Sequence, residues 1–288
     1  MSQHPKSNIC VIFYDSDRYE KLAKCSYQSF NRFHKEEVDI YVVNHKNIHA
    51  LSSSSYFKKI PPGILKYVVC YEIFAKTKAK KLIALGADTI TCSRLDEFLD
   101  NDEDILTTLD YPYQLITDRI SSPDAETHVN ADVVCFNSLD ALKAVIDCAS
   151  YHNIYFEQGG LNEVLWSNKF SNFSKKIVDY PYQTSTVVYN ARSKGNFCAQ
   201  SGTKPWGPFI QKFHVNDGKL FTGFHENNTL VDKQIKVFHY CEGLGTLDNE
   251  SFESLINSWT HGYFNDETKE FLKIVTEYPE FFDHKFTI

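Results

Sequence analysis

The sequence predicts an α/β fold with a mixed, mainly parallel central sheet and flanking helices. Short apolar runs rich in β-branched residues alternate with longer amphipathic segments through the first half of the chain. The chain has 288 residues, of which 42% are hydrophobic, so it can bury a substantial core. One buried-strand pattern, at residues 82–85, stops abruptly in a Gly-Ala-Asp-Thr turn. Together these features are typical of an open sheet that carries a site at its strand ends.

The amino-terminal half alternates predicted strands and helices. Residues 8–14 are a predicted buried strand, followed by a helix at about 19–33 and a second strand at 38–43. A strand, a helix and a strand in this order predict a right-handed parallel crossover. The Pro-Pro-Gly sequence at 61–63 then begins a helix that leads into the central strand at 82–85.

The rest of the chain adds elements without a linker that divides two domains. Further strands are predicted at 114–118, 129–137, 186–190, 219–224 and 236–240, and helices at 93–99, 139–150, from 157 onward, 250–259 and 267–276. We expect a single domain over 1–288. Its first part spans about 1–127, its second part about 128–245, and its terminal helices 246–288.

Charge and cysteine content argue against several classes of protein. The 30 Lys and Arg against 37 Asp and Glu give a net charge of −7, whereas nucleic-acid-binding proteins usually show a basic footprint. The eight cysteines form no Cys-x-x-Cys pair, so we expect reduced core residues rather than disulfides or a zinc site. No segment approaches the roughly 20 apolar residues that span a bilayer. We expect a cytoplasmic protein without a membrane span, and leave homodimer formation open.

Asp88 stands where the central strand ends. An ionised carboxylate in such a place must be paired, hydrated or metal-bound. Open α/β sheets bind ligands at the carboxyl ends of their strands. Asp88 is therefore a candidate ligand for a cation or a sugar phosphate. The alternative is a simple turn residue, since Gly and Asp are common in turns.

Five short segments carry a resemblance to a known family. They are DSDRY at 15–19, GAD at 86–88, HVNADVVCFN at 128–137, EQGGLN at 157–162 and HYCEG at 239–243. Their order and spacing resemble the retaining glycosyltransferase family that includes glycogenin, galactinol synthase and lipooligosaccharide galactosyltransferases. The resemblance implies a GT-A, Rossmann-like fold with a small β-rich and helical carboxyl-terminal part. It assigns nucleotide binding to about 1–127 and binding of the sugar and the acceptor to about 128–245. It also implies transfer from a nucleotide sugar, in particular a UDP-sugar, to a hydroxyl of a glycan, a protein or a polyol.

The resemblance assigns a metal site and a catalytic group. Asp88 and His239 would hold Mn²⁺, with Mg²⁺ as the alternative, at the departing diphosphate. Glu157 and Gln158 would lie beside the reacting carbon, where a carboxylate or an amide oxygen can stabilise positive charge. His239 is otherwise a core or surface imidazole, and the Glu-Gln pair is otherwise the polar start of a helix.

The remaining assignments concern the donor. Asp17 would accept a ring N–H of the base and Tyr19 would stack on it, or else they are a helix cap with a packed aromatic. Lys66 would pair with a phosphate or hold Asp88 in place, or else it is solvated. Further donor contacts are assigned to Tyr14, Asp15, Ala87 and Asn130, and Asn130 and Asp132 would bind sugar hydroxyls unless they merely end a strand.

The match also has departures. Gly86 stands where the family has the first acid of its aspartate pair, with Glu242 as a loose substitute. Asp132 stands where the family has glycine, Gly159 where it has an acid, and Thr246 where it has lysine. These departures motivate an alternative function, a non-catalytic binding or scaffold protein that keeps the fold. A sugar-phosphate nucleotidyltransferase is disfavoured, because no Gly-rich basic loop follows the first strand.

Overall fold

The computed structural model describes residues 7–51, 59–109, 129–150, 156–178, 184–185, 213–226, 229–239 and 265–277. The helices in these ranges are α1 (Glu20–His34), α2 (Pro62–Thr77), α3 (Asp96–Asp100), α4 (Leu139–Ala149), α5 (Phe156–Trp166) and α6 (Asp266–Thr276). The strands are β1 (Asn8–Tyr14), β2 (Val38–Asn44), β3 (Lys81–Gly86), β4 (Thr89–Thr91), β5 (Ile105–Leu109), β6 (Val129–Phe136), β7 (Lys175–Val178), β8 (Thr184–Ser185), β9 (His214–Asn216), β10 (Lys219–Glu226), β11 (Thr229–Gln234) and β12 (Val237–His239). No helix in this part of the chain has the length and apolar character that crossing a membrane requires.

The strands form one large sheet and two small ones. The large sheet has the order β2-β1-β3-β6-β5-β7, and the small sheets have the orders β11-β10-β9 and β4-β12-β8. In the large sheet β1 pairs in parallel with β2 and β3, β6 runs antiparallel to β3 and β5, and β7 is parallel to β5. The predicted mixed, mainly parallel sheet and the parallel pairing of the first two strands are confirmed.

The large sheet is covered on both faces. Ile9, Val11 and Phe13 of β1 join a core that includes residues of α2, α4 and α5, whereas the alternate residues of the same strand face a core built on α1 and α3. The strand β3 alternates in the same way, and its six residues are all buried. Burial on both faces explains why these two strands appear in the sequence as continuous apolar runs.

Local signals set the helix boundaries. Pro62 opens α2 in its first turn, and Lys78 ends it in a left-handed conformation with φ of 53°. The Ser138 hydroxyl accepts the Ala141 N–H at the start of α4, and the Asn265 side chain accepts the Thr268 N–H at the start of α6. The predicted helix bounds were accurate to within a few residues because these end signals are visible in the sequence.

Several elements differ from the predictions or fall outside them. The strands β4, β5 and β7 were not predicted, because Thr-Ile-Thr, Ile-Leu-Thr-Thr-Leu and Lys-Lys-Ile-Val are too short and polar to show a strand pattern. The short helix predicted at 93–99 is confirmed but begins at Asp96. The predicted strands at 114–118 and 186–190 and the helix at 250–259 lie outside the described residues.

His34, at the end of α1, links that helix to the start of α3. The ring is buried, lies 4.6 Å from the Phe30 ring between centroids, and accepts the Leu95 N–H at Nε2 over 3.2 Å. Burial, with a smaller contribution from the Arg94 cation, lowers the pKa of His34 to about 4. The imidazole is therefore neutral in the folded protein near pH 7.

This histidine is expected to make stability depend on pH. Because its pKa is about 6.5 in the unfolded chain and lower in the folded protein, the stabilisation is present above pH 6.5 and is lost as the pH falls. We expect the free energy of unfolding to fall by about 2 kcal/mol from this group between pH 7 and pH 5, measured by urea denaturation. The His34→Gln variant keeps an acceptor for the Leu95 N–H and should lose this component. The exposed His49→Gln control should keep it; equal pH dependence in all three proteins would contradict the assignment.

Candidate functional site

A cleft of about 220 Å³ opens where β1 and β3 end. The amino-terminal turns of α2 and α5 border it through Pro62, Lys66 and Glu157. Clefts at the carboxyl ends of strands are the usual ligand sites of open α/β sheets. Eight of the twelve residues that the sequence analysis assigned to a site line this cleft, namely Tyr14, Asp15, Tyr19, Lys66, Ala87, Asp88, Asp132 and Glu157.

Three possible metal ligands meet beside the cleft. His239 Nε2 lies 3.3 Å from Asp88 Oδ1 and 3.5 Å from Asp132 Oδ2, and one ligand atom of each residue lies within 4.8 Å of the others. Ligands of an octahedral ion at 2.0–2.2 Å are separated by about 3 Å when adjacent and about 4.4 Å when opposite. Two carboxylate oxygens and one imidazole nitrogen at these separations fit a divalent cation such as Mn²⁺ or Mg²⁺.

Strand pairing brings His239 to Asp88. The strand β12 runs antiparallel to β4 with His239 opposite Thr89, the residue that follows Asp88. The turn between β3 and β4 is itself fixed, because the hydroxyls of Ser26 and Thr89 both donate to the Gly86 carbonyl, over 3.1 and 2.8 Å. The sequence analysis paired Asp88 with His239, and the structure places these two side chains together.

Asp132 comes from a bulge in β6. In the pairing of β5 with β6, Thr107 faces Val134 but Thr108 faces Asn130, so three residues of β6 lie between consecutive partners on β5. A bulge of this kind bends a strand and re-aims the side chains that it carries. Asp132 was predicted to bind sugar hydroxyls and was not predicted as a metal ligand. The bulge that re-aims its side chain is visible only once the strands are paired.

Side chains satisfy the polar backbone groups of the bulge. The bonds are from the Ala131 N–H to Gln158 Oε1 (3.2 Å), from Lys66 Nζ and the Tyr67 hydroxyl to the Ala131 carbonyl (both 3.0 Å), and from the Asp132 N–H to Asn130 Oδ1 (2.7 Å). Buried backbone groups that lose their strand partners need such replacements. Asn130 and Gln158, which the sequence analysis assigned to the sugar and the reacting carbon, thus hold the strand that carries Asp132.

The helix α5 is tied closely to its surroundings. The Asn162 side chain exchanges two 2.9 Å hydrogen bonds with the Val129 backbone, one to its N–H and one to its carbonyl. A methyl group on Gly160 would lie only 2.4 Å from the Val145 carbonyl of α4, so glycine is what allows the two helices to approach. These contacts fix the first turn of α5, which carries Glu157 and Gln158.

Lys66 lies between the carboxylates of Asp132 and Glu157. Its ammonium lies 2.6 Å from Asp132 Oδ1 and 3.5 Å from Glu157 Oε1, and its side chain is 9% exposed. The sequence analysis expected Lys66 to bind a phosphate or to hold Asp88. In the structure its carboxylate partners are instead Asp132, on the neighbouring strand, and Glu157.

Lys66, Asp132 and Glu157 influence one another's pKa. Burial would lower the pKa of Lys66, but the Asp132 and Glu157 carboxylates outweigh it and hold that pKa above its ordinary value. Burial would raise the pKa of Asp132, but Lys66 and then His239 hold it below its usual range. For Glu157 burial prevails over Lys66, and the pKa is raised. Lys66 and Asp132 are therefore an ion pair at neutral pH, and Glu157 is the carboxyl that takes up a proton most readily.

Asp17 has a different environment from the one expected. Its carboxylate is 63% exposed and pairs with Lys46 Nζ at 2.6 Å and His45 Nε2 at 3.5 Å. The hydrogen bond from Lys46 lowers the pKa of Asp17. Asp17 is not among the residues that line the cleft, whereas Asp15 and Tyr19 are. The pairing with Lys46 was not predictable from the sequence, because it depends on how the segment after β2 folds back.

Comparisons with known proteins find similarity in structure. No family model and no curated protein matches the sequence. An active-site glutamine-to-glutamate variant of LgtC matches with a TM-score of 0.52 and 14% identity, over 92% of this chain and 94% of that chain. The galactosyltransferase LgtC with donor and acceptor sugar analogues matches with a TM-score of 0.48 and 15% identity, over 93% and 95%. The glycosyltransferase GlyE of Streptococcus pneumoniae TIGR4 matches with a TM-score of 0.48 and 14% identity, over 95% and 62%.

The first of these matches carries the structural conclusion. It extends over nearly the whole length of both chains at a TM-score of 0.52, which at 14% identity shows a common fold. The mixed six-stranded sheet with helices on both faces is the architecture that the five sequence segments implied. The fold predicted from the sequence is confirmed: this chain has the GT-A fold of the glycosyltransferases.

Proposed function

We propose that this protein transfers a sugar from a nucleotide diphosphate sugar, specifically a UDP-sugar, to an acceptor hydroxyl with retention of configuration. A divalent cation assists the reaction. The observation that carries the proposal is the meeting of Asp88, Asp132 and His239, from three separate segments, beside the cleft at the ends of β1 and β3. The fold supports the proposal, since the matched structure is a glycosyltransferase.

The three side chains suit the leaving group of such a reaction. Departure of the nucleoside diphosphate leaves negative charge on its oxygens, and a bound Mn²⁺ or Mg²⁺ neutralises that charge without a proton transfer. Asp88, Asp132 and His239 would hold the ion beside the donor. The uridine would lie along Asp15 and Tyr19, with the Tyr19 ring available for stacking on the base.

Glu157 is the group that we assign to the reacting carbon. Its carboxyl lines the cleft and lies 3.5 Å from the Lys66 ammonium. An ionised carboxylate at this place stabilises the positive charge that develops on the sugar ring, or attacks it. Gln158 follows in the same helical turn, and LgtC also has an active-site glutamine. Because Gln158 Oε1 already accepts the Ala131 N–H, we assign it first to positioning the bulge.

The structure weakens the main reason for the scaffold alternative. That alternative was motivated by Gly86, which lacks the first acid of the family's pair, and by Thr246, which stands where the family has lysine. A carboxylate from Asp132 lies beside Gly86, so the site has two acids after all. The acceptor class, the cytoplasmic location and homodimer formation stay predictions.

Thermal unfolding tests the proposal directly. With Mn²⁺ and UDP at about 100 times the dissociation constant, binding to the folded state alone adds about 2.7 kcal/mol, and we expect Tm to rise by about 5 °C. EDTA should remove the shift. Hydrolysis of UDP-sugars in the same conditions, followed by NMR, should release the sugar first in the anomeric form of the donor. Absence of any Tm shift together with no turnover of any UDP-sugar would contradict the proposal.

A further inference from the structure

We infer that Asp132 supplies from β6 the carboxylate that position 86 cannot supply from β3, so that the cation site is assembled across two antiparallel strands and requires glycine at 86. The inference rests on the proposed cation-assisted function. Two departures from the family lie far apart in the sequence, the absent acid at 86 and the added acid at 132. Both then have the same cause.

Strand register places the two positions face to face. In the antiparallel pairing of β3 with β6, Leu82 faces Phe136 and Leu85 faces Val133, so the next pair in the series is Gly86 with Asp132. A Cβ built on Gly86 would lie 2.9 Å from Asp132 Cβ and 2.9 Å from Oδ1 of both Asp132 and Asp88. Side-chain carbons do not approach so closely in folded proteins. A side chain at position 86 would therefore require Asp132 to move.

The orientation of Asp132 suits a ligand. Its Oδ1 accepts a 2.6 Å hydrogen bond from Lys66, and its Oδ2 faces His239 Nε2 at 3.5 Å. The ammonium therefore fixes one oxygen and leaves the other turned toward Asp88 and His239. The Asp132 N–H is held by Asn130 Oδ1 at 2.7 Å, which fixes the backbone of the bulge at the same residue.

A simpler role for Asp132 makes a different prediction. If Asp132 served only as the counter-ion of Lys66, its loss would reduce stability and would weaken cation binding only slightly, through the uncompensated ammonium. If it is a ligand, an isosteric amide at 132 should weaken cation binding in a protein that is still folded. Substitutions at position 86 provide a further test. A side chain at 86 affects residue 132 only if the two side chains compete for the same space.

The first experiment measures Mn²⁺ binding without any turnover. The free Mn²⁺ signal in electron paramagnetic resonance is titrated with the folded full-length protein, and circular dichroism checks that each variant is folded. We expect Asp132→Asn to raise the dissociation constant for Mn²⁺ by at least about tenfold. The exchange variant, Gly86→Asp with Asp132→Gly, should recover most of the wild-type affinity. Asp147→Asn, an exposed carboxylate on α4 paired with Lys143, is the matched control and should bind as the wild type does.

The second experiment measures thermal stability in EDTA and needs no cation. Gly86→Ala should lower Tm in the wild-type background, because the added methyl group meets the Asp132 side chain. The same change should lower Tm less in an Asp132→Gly background, where the contact with Asp88 Oδ1 is the close one that remains. Equal losses of Tm in both backgrounds would overturn the shared-space argument, whether or not the exchange variant folds.

The outcomes separate the inference from the proposed function. If the wild type binds Mn²⁺ and Asp132→Asn binds it equally well, the inference is wrong and the proposed function stands. A folded exchange variant that binds no better than Asp132→Asn also overturns the inference. If the wild type binds no Mn²⁺ even with UDP present, the cation-assisted function fails and the inference fails with it.

Discussion

Replacing Asp88 by asparagine is expected to lower sugar transfer by at least about 100-fold, since loss of a metal-coordinating carboxylate costs more than the 10- to 100-fold of a supporting group. Asp88 contributes an oxygen 3.3 Å from His239 Nε2, at the end of the central strand. Asparagine keeps the shape of the side chain but not its charge. The leaving diphosphate would then lose much of the stabilisation that a bound cation supplies. Steady-state kinetics with a UDP-sugar and saturating Mn²⁺ should show the loss mainly in kcat.

Stability measurements distinguish this loss from misfolding. Asp88 Oδ1 lies 3.3 Å from His239 Nε2, and asparagine keeps a side-chain oxygen of the same shape at this place. Asp88→Asn should therefore unfold in EDTA at a Tm close to that of the wild type. Asp102→Asn, a carboxylate that is 99% exposed, serves as the control and should retain full activity. Unchanged kcat in Asp88→Asn would remove Asp88 from the reaction.

Replacing Lys66 by methionine is expected to lower the free energy of unfolding at pH 7 by about 3–5 kcal/mol, the usual cost of leaving a buried charge without its partner. The ammonium is 9% exposed and contacts Asp132 and Glu157, and it also donates to the Ala131 carbonyl. Methionine fills similar space but pairs with neither carboxylate. Urea denaturation of the two proteins measures the difference.

The pH dependence of this loss has a definite sign. Since the pKa of Asp132 is lowered in the folded protein, its stabilisation is present above about pH 3.9 and lost below it. The pKa of Lys66 is raised, so its contribution persists up to about pH 10.4 and is lost only above that. Between these limits the contribution of the Lys66–Asp132 pair in the wild type is constant. In Lys66→Met the unpaired carboxyls can take up protons, so its deficit should be smaller at pH 5 than at pH 7.

An exposed ion pair provides the control for Lys66. Lys143 pairs with Asp147 at 2.6 Å on the surface of α4, and both side chains are more than half exposed. Lys143→Met should change the free energy of unfolding by less than about 1 kcal/mol, as exposed pairs generally do. A Lys66→Met protein as stable as the Lys143→Met protein would show that the buried ammonium is not needed to neutralise its neighbours.

The sequence predicted the parts of the fold that burial determines. The strand β1 was predicted to the residue, and β3 nearly so, because strands buried on both faces are continuous apolar runs. The partly buried edge strand β2 was predicted to within one residue from its β-branched and aromatic residues. The strands β5 and β7 were not predicted, because the threonines of β5 and the lysines of β7 interrupt the continuous apolar run. Their places in the sheet follow from pairing with β6, which depends on contacts between distant parts of the chain.

The candidate site was also predictable only in part. Asp88 and His239 were assigned together from short segments that keep their order along the chain, and the structure places their side chains 3.3 Å apart. The role of Asp132 was not predictable from its own segment, because a bulge changes which way a side chain points. The partners of Lys66 were also unpredicted, since they lie on β6 and α5 rather than near it in sequence.

The bulge in β6 has a consequence for how such proteins are recognised. A glycosyltransferase sequence signature that requires both acids within one tripeptide does not match a chain in which the neighbouring strand provides one of the two acids. A signature defined by sheet pairing, with glycine at one facing position and aspartate at the other, would retain it. A bulge in one strand that faces a glycine on the next can thus bring a carboxylate to a place where the second strand has no side chain.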